Sequence, residues 1–318
     1  MRESDKHQTR FTRRQLLTIS RKGQVRSEIS RSGGTQPNLP YADEVGQTPT
    51  AHFFNPIGHI APVIDLERWR LRFGGFVEQP IAVTVDDLKA MPTSRLSATV
   101  VNIKSRPDQF MMGHAVWQGV ALETLLKSVQ VSSEARFASF RSVNGYTTYL
   151  SIEQLEGAML ATEMNGETLS MEQGYPVRLI VPGVYDYKLP KWLEYITFTE
   201  AQPTGYFEGR GYSSTGDVQT AAMIFSPHQR EMVNGLVTFN GMAFGGKRDI
   251  QQIELSVDDG EWMPVPFEAA EHGTWTRWQI DWMPPAVGDY LVKVRVSDTT
   301  EPTSVFSAFH SVVFRVVR

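Results

Sequence analysis

One segment, Gly174 to Thr199, constrains the chain most, because it specifies two strands and a charged loop between them. Val177, Leu179, Ile180 and Val181 make a short apolar run of the kind that forms a buried strand. Pro182-Gly183 ends that strand, since proline has no N–H for the ladder and glycine turns freely. A loop then presents Tyr185, Tyr187, Lys188 and Lys191 ahead of Trp192, and Tyr195-Ile-Thr-Phe-Thr199 reads as the second strand. Together with Arg178, the two lysines surround a tight glycine turn, where cations and free backbone N–H groups converge to grip a bulky anion. A plain hairpin loop bearing lysines accounts for the same spacing, and on spacing alone it is the favoured reading.

The chain around this segment has 318 residues, enough for two domains of ordinary size with separate cores. No apolar run approaches the ~18 residues of a membrane span. The formal charge of −4 is unevenly spread: residues 1 to 31 carry nine Lys/Arg against Glu3, Asp5 and Glu28, a net of +6 that leaves −10 on the remainder. This arm reads as a solvated, disordered tail rather than a nucleic-acid or membrane contact. Within it, Thr12-Arg-Arg-Gln-Leu-Leu17 resembles the start of a twin-arginine export signal. The following Thr18-Ile-Ser-Arg-Lys-Gly-Gln-Val-Arg is too polar for the ~7–15-residue apolar stretch such a signal needs. A cytoplasmic location is therefore favoured over a periplasmic one. There is no cysteine, which excludes disulfides, thiolate metal sites and thiol nucleophiles and leaves the redox compartment open.

Elsewhere the pattern is legible element by element. Residues 32 to 50 form an irregular linker. Trp69, Leu71 and Phe73 alternate with Arg68, Arg70 and Arg72, as in a half-buried strand. Thr84 is a helix N-cap with Asp86 and Asp87 in the first turn, and Pro92 stops the helix. Trp117, Val120, Leu122, Leu125 and Leu126 read as core, His114 as structural, and Asn144-Gly145 as a tight turn. Ile152 to Leu160 reads as an amphipathic helix. Residues 201 to 217 are rich in Gly and Pro and form a linker, in which Arg210 is the residue to watch. Beyond them, short alternating strands and turns such as Asp258-Asp-Gly260 predict an all-β region.

The ordered run G-Y-P-V-R-L-I-V-P-G-x-Y-x-Y-K-x-P-K-W at 174–192 resembles the signature of the sulfite oxidase family of molybdopterin-dependent oxidoreductases. The resemblance covers roughly residues 49 to 318. It takes in the W-R-L strand and G-x-V-x-x-P, the G-x-A-x-W-x-G-V-x-L-x-x-L-L run from Gly113, the G-Y-T at Gly145 and the A-F-G-G-x-R run from Ala243. It implies an α+β chain: a basic tail and linker over 1–48, a mixed α/β molybdopterin-binding domain over 49–205, a linker over 206–217 and an immunoglobulin-like dimerisation sandwich over 218–318.

In that family the 174–192 segment grips the phosphate and pterin of the cofactor. The resemblance therefore implies cofactor contacts from Arg178, Lys188 and Lys191. Ser105, Arg106 and His59 join them, although Gly58 stands where the family has asparagine beside that histidine. Tyr146, with Asn144 in place of the usual aspartate, aligns with the tyrosine that faces the metal. Asn102 occupies the position of the cysteine whose thiolate binds molybdenum. A neutral, hard carboxamide offers at most a weak contact there, which puts metal occupancy in doubt. The resemblance further implies a small oxyanion or a sulfur- or nitrogen-oxide as substrate, a separate electron-transfer partner and a homodimer. A catalytically impaired, cofactor- or anion-binding homologue is the alternative.

Overall fold

The computed structural model describes residues 47–55, 60–105, 111–268, 273–299 and 310–318. The basic tail, the Arg13-Arg14 pair, His59 and Arg106 lie outside the described residues.

Two sheets share the first buried cluster, which runs from Phe53 to Phe198. One has the strand order Ile81–Val83, Leu71–Gly75, Leu193–Thr199, Phe137–Ser142, Thr147–Ser151. Its central pair, Leu71–Gly75 with Leu193–Thr199, is parallel, with Phe73 opposite Ile196. Trp69 enters this layer buried and donates its indole N–H to the Leu193 carbonyl at 3.0 Å. The other sheet runs Ser94–Val101, Met112–Ala121, Met159–Met164, Glu167–Thr168, and Arg178–Ile180 also pairs with Met159–Met164. The apolar run 177–181 is thus a strand buried along its length. Gly119 sits at a register shift between two paired strands, where a Cβ would meet the Leu160 carbonyl oxygen at 2.1 Å, so this step requires a bare backbone.

Helix is scarce, so the α+β expectation holds only in part: the described residues are mostly β, with two short α-helices, Val85–Ala90 and Leu122–Val129. The first has the predicted Thr84 cap, closed as a capping box with Asp87. The expected helix from Ile152 is instead a 3-10 turn, Glu153–Leu155, followed by the strand Met159–Met164. Gly157 lies between them at φ 69°, a left-handed step that ends the turn. Met159, Leu160 and Ala161 are then buried between two strand neighbours, a setting that favours extended backbone over an amphipathic helix.

From residue 221 onward every regular element is a strand among the described residues. Ala221–Ser226, Val237–Phe244 and Thr276–Trp282 form a three-stranded sheet. Met232–Asn234, His310–Val317, Gly288–Asp298, Ile250–Val257 and Met263–Pro264 form a five-stranded one. Phe239 and Trp278 from the first sheet and Leu255, Val294 and Phe314 from the second belong to one buried cluster. A third cluster, including Val101, Met112, Phe244 and Trp275, joins this region to the sheets that precede it.

Candidate functional site

The 174–192 segment is built for close approach. Gly174 adopts φ 113°, and a Cβ there would press at 3.1 Å on the Cβ atoms of both Arg178 and Lys191. The bare glycine lets these two cationic stems lie side by side. After Pro182-Gly183 the chain makes a short 3-10 turn, Asp186–Lys188. Trp192, at φ 53°, anchors the far end by donating its indole N–H to the Met171 carbonyl at 2.7 Å.

Beside this loop is a cavity of about 560 Å3. Asn102, Tyr146, Arg178 and Lys191 all line it, so four of the sequence-predicted residues, far apart in the chain, come together. Aromatic rings form much of the remaining wall: Phe53 and Phe54 from one strip, Tyr187, Phe207 and Tyr212 from another. Lys104 lies on the wall as well and is exposed. Asp186 is the one carboxylate among the described lining residues.

The electrostatics are unbalanced. Arg178 is 2% exposed and stacks its guanidinium 4.9 Å from the Trp117 ring. Its Nη1 donates to the backbone and side-chain oxygens of Gln173, both neutral, while Nε is buried without a partner. Burial draws this arginine down to about 10. Lys191 donates to Asn55 Oδ1 at 2.8 Å and to the Glu172 carbonyl at 2.6 Å, again neutral oxygens. Desolvation, reinforced by the Arg178 charge, pulls its ammonium down to about 7. Asp186 is pushed up to about 6 by burial, against the opposing hydrogen bond from Asn102 and the charges of Arg178 and Lys191. Tyr146 donates its hydroxyl to the Tyr187 carbonyl, and burial followed by Glu208 and Asp186 raises it above the usual phenol range.

Asn102 is hydrogen-bonded at both ends of its amide. Its Nδ2 donates to Asp186 Oδ2 at 2.7 Å, and its Oδ1 accepts the Lys104 backbone N–H at 2.8 Å. Ser105 does not line this cavity; it borders a neighbouring hollow of about 100 Å3, and its hydroxyl accepts the Met111 N–H at 3.1 Å. Lys188 is also outside the lining. Its Nζ is bound to Glu208 Oε1 at 2.5 Å and the Tyr149 carbonyl at 2.8 Å, with the two charged side chains 0% and 5% exposed. Arg210 stacks on the Tyr206 ring at 3.7 Å and is exposed. His114 is structural, held between Ser97 and Thr99 at 3.0 Å each. The residues that sequence reasoning passed over are Asp186, Phe207 and Tyr212. Asp186 had one signal, a lone acid in an otherwise basic loop; the two aromatics sit in a linker with no periodicity to mark them.

The oxidoreductase molybdopterin binding domain family matches residues 58–207. The uncharacterized oxidoreductase YuiH of Bacillus subtilis (strain 168) is 32% identical over 197 residues, covering 60% of this chain and 91% of YuiH. This chain belongs to the sulfite oxidase family of molybdopterin oxidoreductases. The sulfite oxidase of Arabidopsis thaliana is 26% identical over 315 residues, 80% of this chain and 78% of that protein. The NADH nitrate reductase of Volvox carteri is 27% identical across 74% of this chain, which spans only 35% of that enzyme. The sulfane dehydrogenase SoxCD of Paracoccus pantotrophus shares the fold, with a TM-score of 0.70 over 88% of this chain and 80% of that one at 21% identity.

The family's cofactor is molybdopterin, and the cavity fits its anionic, organic part. A buried guanidinium with an unpartnered Nε, beside a desolvated ammonium, calls for an anion, and the aromatic walls suit a flat ring system. A protein thiolate for the metal is absent, as there is no cysteine in the chain. No group of three or more His, Cys, Asp or Glu among the described residues could hold a metal by itself. Among the described residues no helix is long and apolar enough to cross a membrane.

Proposed function

We propose that the chain is a sulfite-oxidase-type oxidoreductase that holds molybdopterin in the cavity of about 560 Å3. Arg178 and Lys191 receive the negative charge of the cofactor, and Tyr146 faces the reacting end. The observation that carries this reading is the buried, incompletely partnered Arg178 on the cavity wall. When bound, the cofactor supplies the two-electron redox chemistry; the protein supplies grip, orientation and charge. The Tyr146 hydroxyl is neutral at neutral pH, as any phenol is, and burial moves it further from ionising. The aromatic side of the pocket excludes water from whatever reacts there. Lys188 takes no part in the grip; it holds Glu208 and the segment around it against the Tyr149 strand. The substrate class is a small oxyanion or a sulfur- or nitrogen-oxide, and electrons pass to a separate partner. The region 218–318 serves as an immunoglobulin-like dimerisation module, and the two main buried clusters support a division into 49–205 and 218–318.

A second reading, a cofactor-binding homologue without turnover, is favoured by one observation. Asn102 replaces the thiolate, and both ends of its amide are committed to other protein groups. Pterin-loaded protein assayed with sulfite, nitrate and organic sulfoxides, using dye electron carriers in both directions, separates the two. Turnover of any of these supports the first reading. Pterin-loaded protein that is inert on all of them, yet active as Asn102→Cys, supports the second.

A further inference from the structure

We propose that Asp186, rather than Asn102, supplies the anionic side chain that faces the metal of the bound cofactor in place of the missing thiolate. This rests on the reading that molybdopterin occupies the cavity.

Three observations lead to it. A metal–thiolate bond contributes one negative charge from the protein, and Asn102 cannot. Asp186 is the one acidic side chain among the described residues of the cavity wall, and its Oδ2 lies 2.7 Å from the amide nitrogen of Asn102. A carboxylate therefore stands within one hydrogen bond of the residue that occupies the ligand position. Second, among the described residues no cation forms an ion pair with this carboxylate: Arg178 and Lys191 act on it only from a distance, and its hydrogen bonds come from the neutral Asn102 amide and the Tyr187 backbone. A buried carboxylate whose opposite charges stand off in this way can still take a contacting cation, such as a metal ion. Third, the arrangement around it matches what a ligating carboxylate needs. Such ligands are oriented by hydrogen bonds from a surrounding layer, and Asn102 supplies one while its own Oδ1 is fixed by the Lys104 N–H. Asn102 is then a positioning residue. Its amide N–H suits a carboxylate acceptor, so Asn102 and Asp186 make sense as a pair and neither does alone. A hard oxygen anion is also an appropriate donor for an oxophilic, high-valent metal.

The test uses the full chain purified from cells that make the cofactor, with molybdenum and pterin quantified separately. Asp186→Asn is isosteric and preserves an acceptor for Asn102, so it should fold and retain pterin at the wild-type level. Its molybdenum-to-pterin ratio should fall about tenfold, at the low end of what losing a ligand or its orienting partner costs. Asn102→Ala should lower the ratio less, and Asn102→Asp should not rescue it. X-ray absorption at the molybdenum edge gives a readout independent of turnover. Asp186→Cys should add one sulfur neighbour relative to wild type, because this chain contributes no cysteine of its own. An Asp186→Asn protein with the wild-type metal ratio, or an Asp186→Cys protein with an unchanged sulfur count, overturns the assignment while leaving cofactor binding intact. Absence of pterin from wild type and all variants overturns the reading on which it rests.

Discussion

Replacing Lys188 with methionine should destabilise the protein without emptying its cofactor site. The ammonium makes two charge-assisted contacts, to Glu208 Oε1 at 2.5 Å and the Tyr149 carbonyl at 2.8 Å, and it lies 4.3 Å from the Tyr149 ring centroid. Without it Glu208 keeps, among the described residues, the Thr148 hydroxyl at 2.6 Å, and its Oε2 is already buried and unpartnered. The side chains are 0% and 5% exposed, so water cannot substitute. Leaving one member of a buried pair uncompensated costs roughly 3–5 kcal/mol. The double variant Lys188→Met/Glu208→Gln removes the stranded charge and should recover at least about 2 kcal/mol of that loss, since neutral replacement of a whole buried pair is often tolerated. Urea unfolding of wild type, both singles and the double measures the coupling. Pterin content per folded chain, measured on the same samples, should be unchanged in Lys188→Met. A single-variant cost under about 1 kcal/mol with additive effects would refute the latch. Loss of pterin from well-folded Lys188→Met would refute its placement outside the grip.

Sulfate affinity of the cofactor-free protein should weaken as pH rises through about 7, where Lys191 loses its proton, and Lys191→Gln should flatten that profile in calorimetric titrations. Because the folded-state value lies below the ordinary lysine value of 10.5, the folded protein binds fewer protons between the two, so stability should rise with pH across that window in the absence of an anion. Gly241→Ala should destabilise by roughly 1–3 kcal/mol or more, because its Cβ would sit 1.8 Å from the Met223 carbonyl oxygen and 2.5 Å from the Trp278 ring; thermal unfolding reads this directly. Thr84→Ala should cost about 1 kcal/mol by opening the capping box with Asp87, with no effect on pterin content.

Much of the fold was legible because burial and period coincide. The run 177–181, the alternation at Trp69 to Phe73 and the Thr84 cap each announce their local structure. Ile152 to Leu160 misled because its apolar residues satisfy helical spacing, while the deciding facts, the left-handed Gly157 and the two strands that flank Met159–Met164, come from elsewhere in the chain. At the site, Arg178 and Lys191 could be named from the motif because Gly174 fixes their stems locally. Lys188 could not be separated from them by sequence. Adjacent loop lysines look alike until a distant carboxylate, Glu208, claims one of them. Asp186 was hidden for the opposite reason, since its meaning depends on Asn102, 84 positions away along the chain.

The central claim is that Arg178 and its cavity hold molybdopterin. Acid release of bound pterin, quantified by fluorescence on protein from a cofactor-producing host, tests it most directly. Wild type should yield close to one pterin per chain. Arg178→Gln, matched to wild type for folded content by urea unfolding, should yield little. A pterin-free wild type, or an Arg178→Gln protein with a full complement of pterin, contradicts the account.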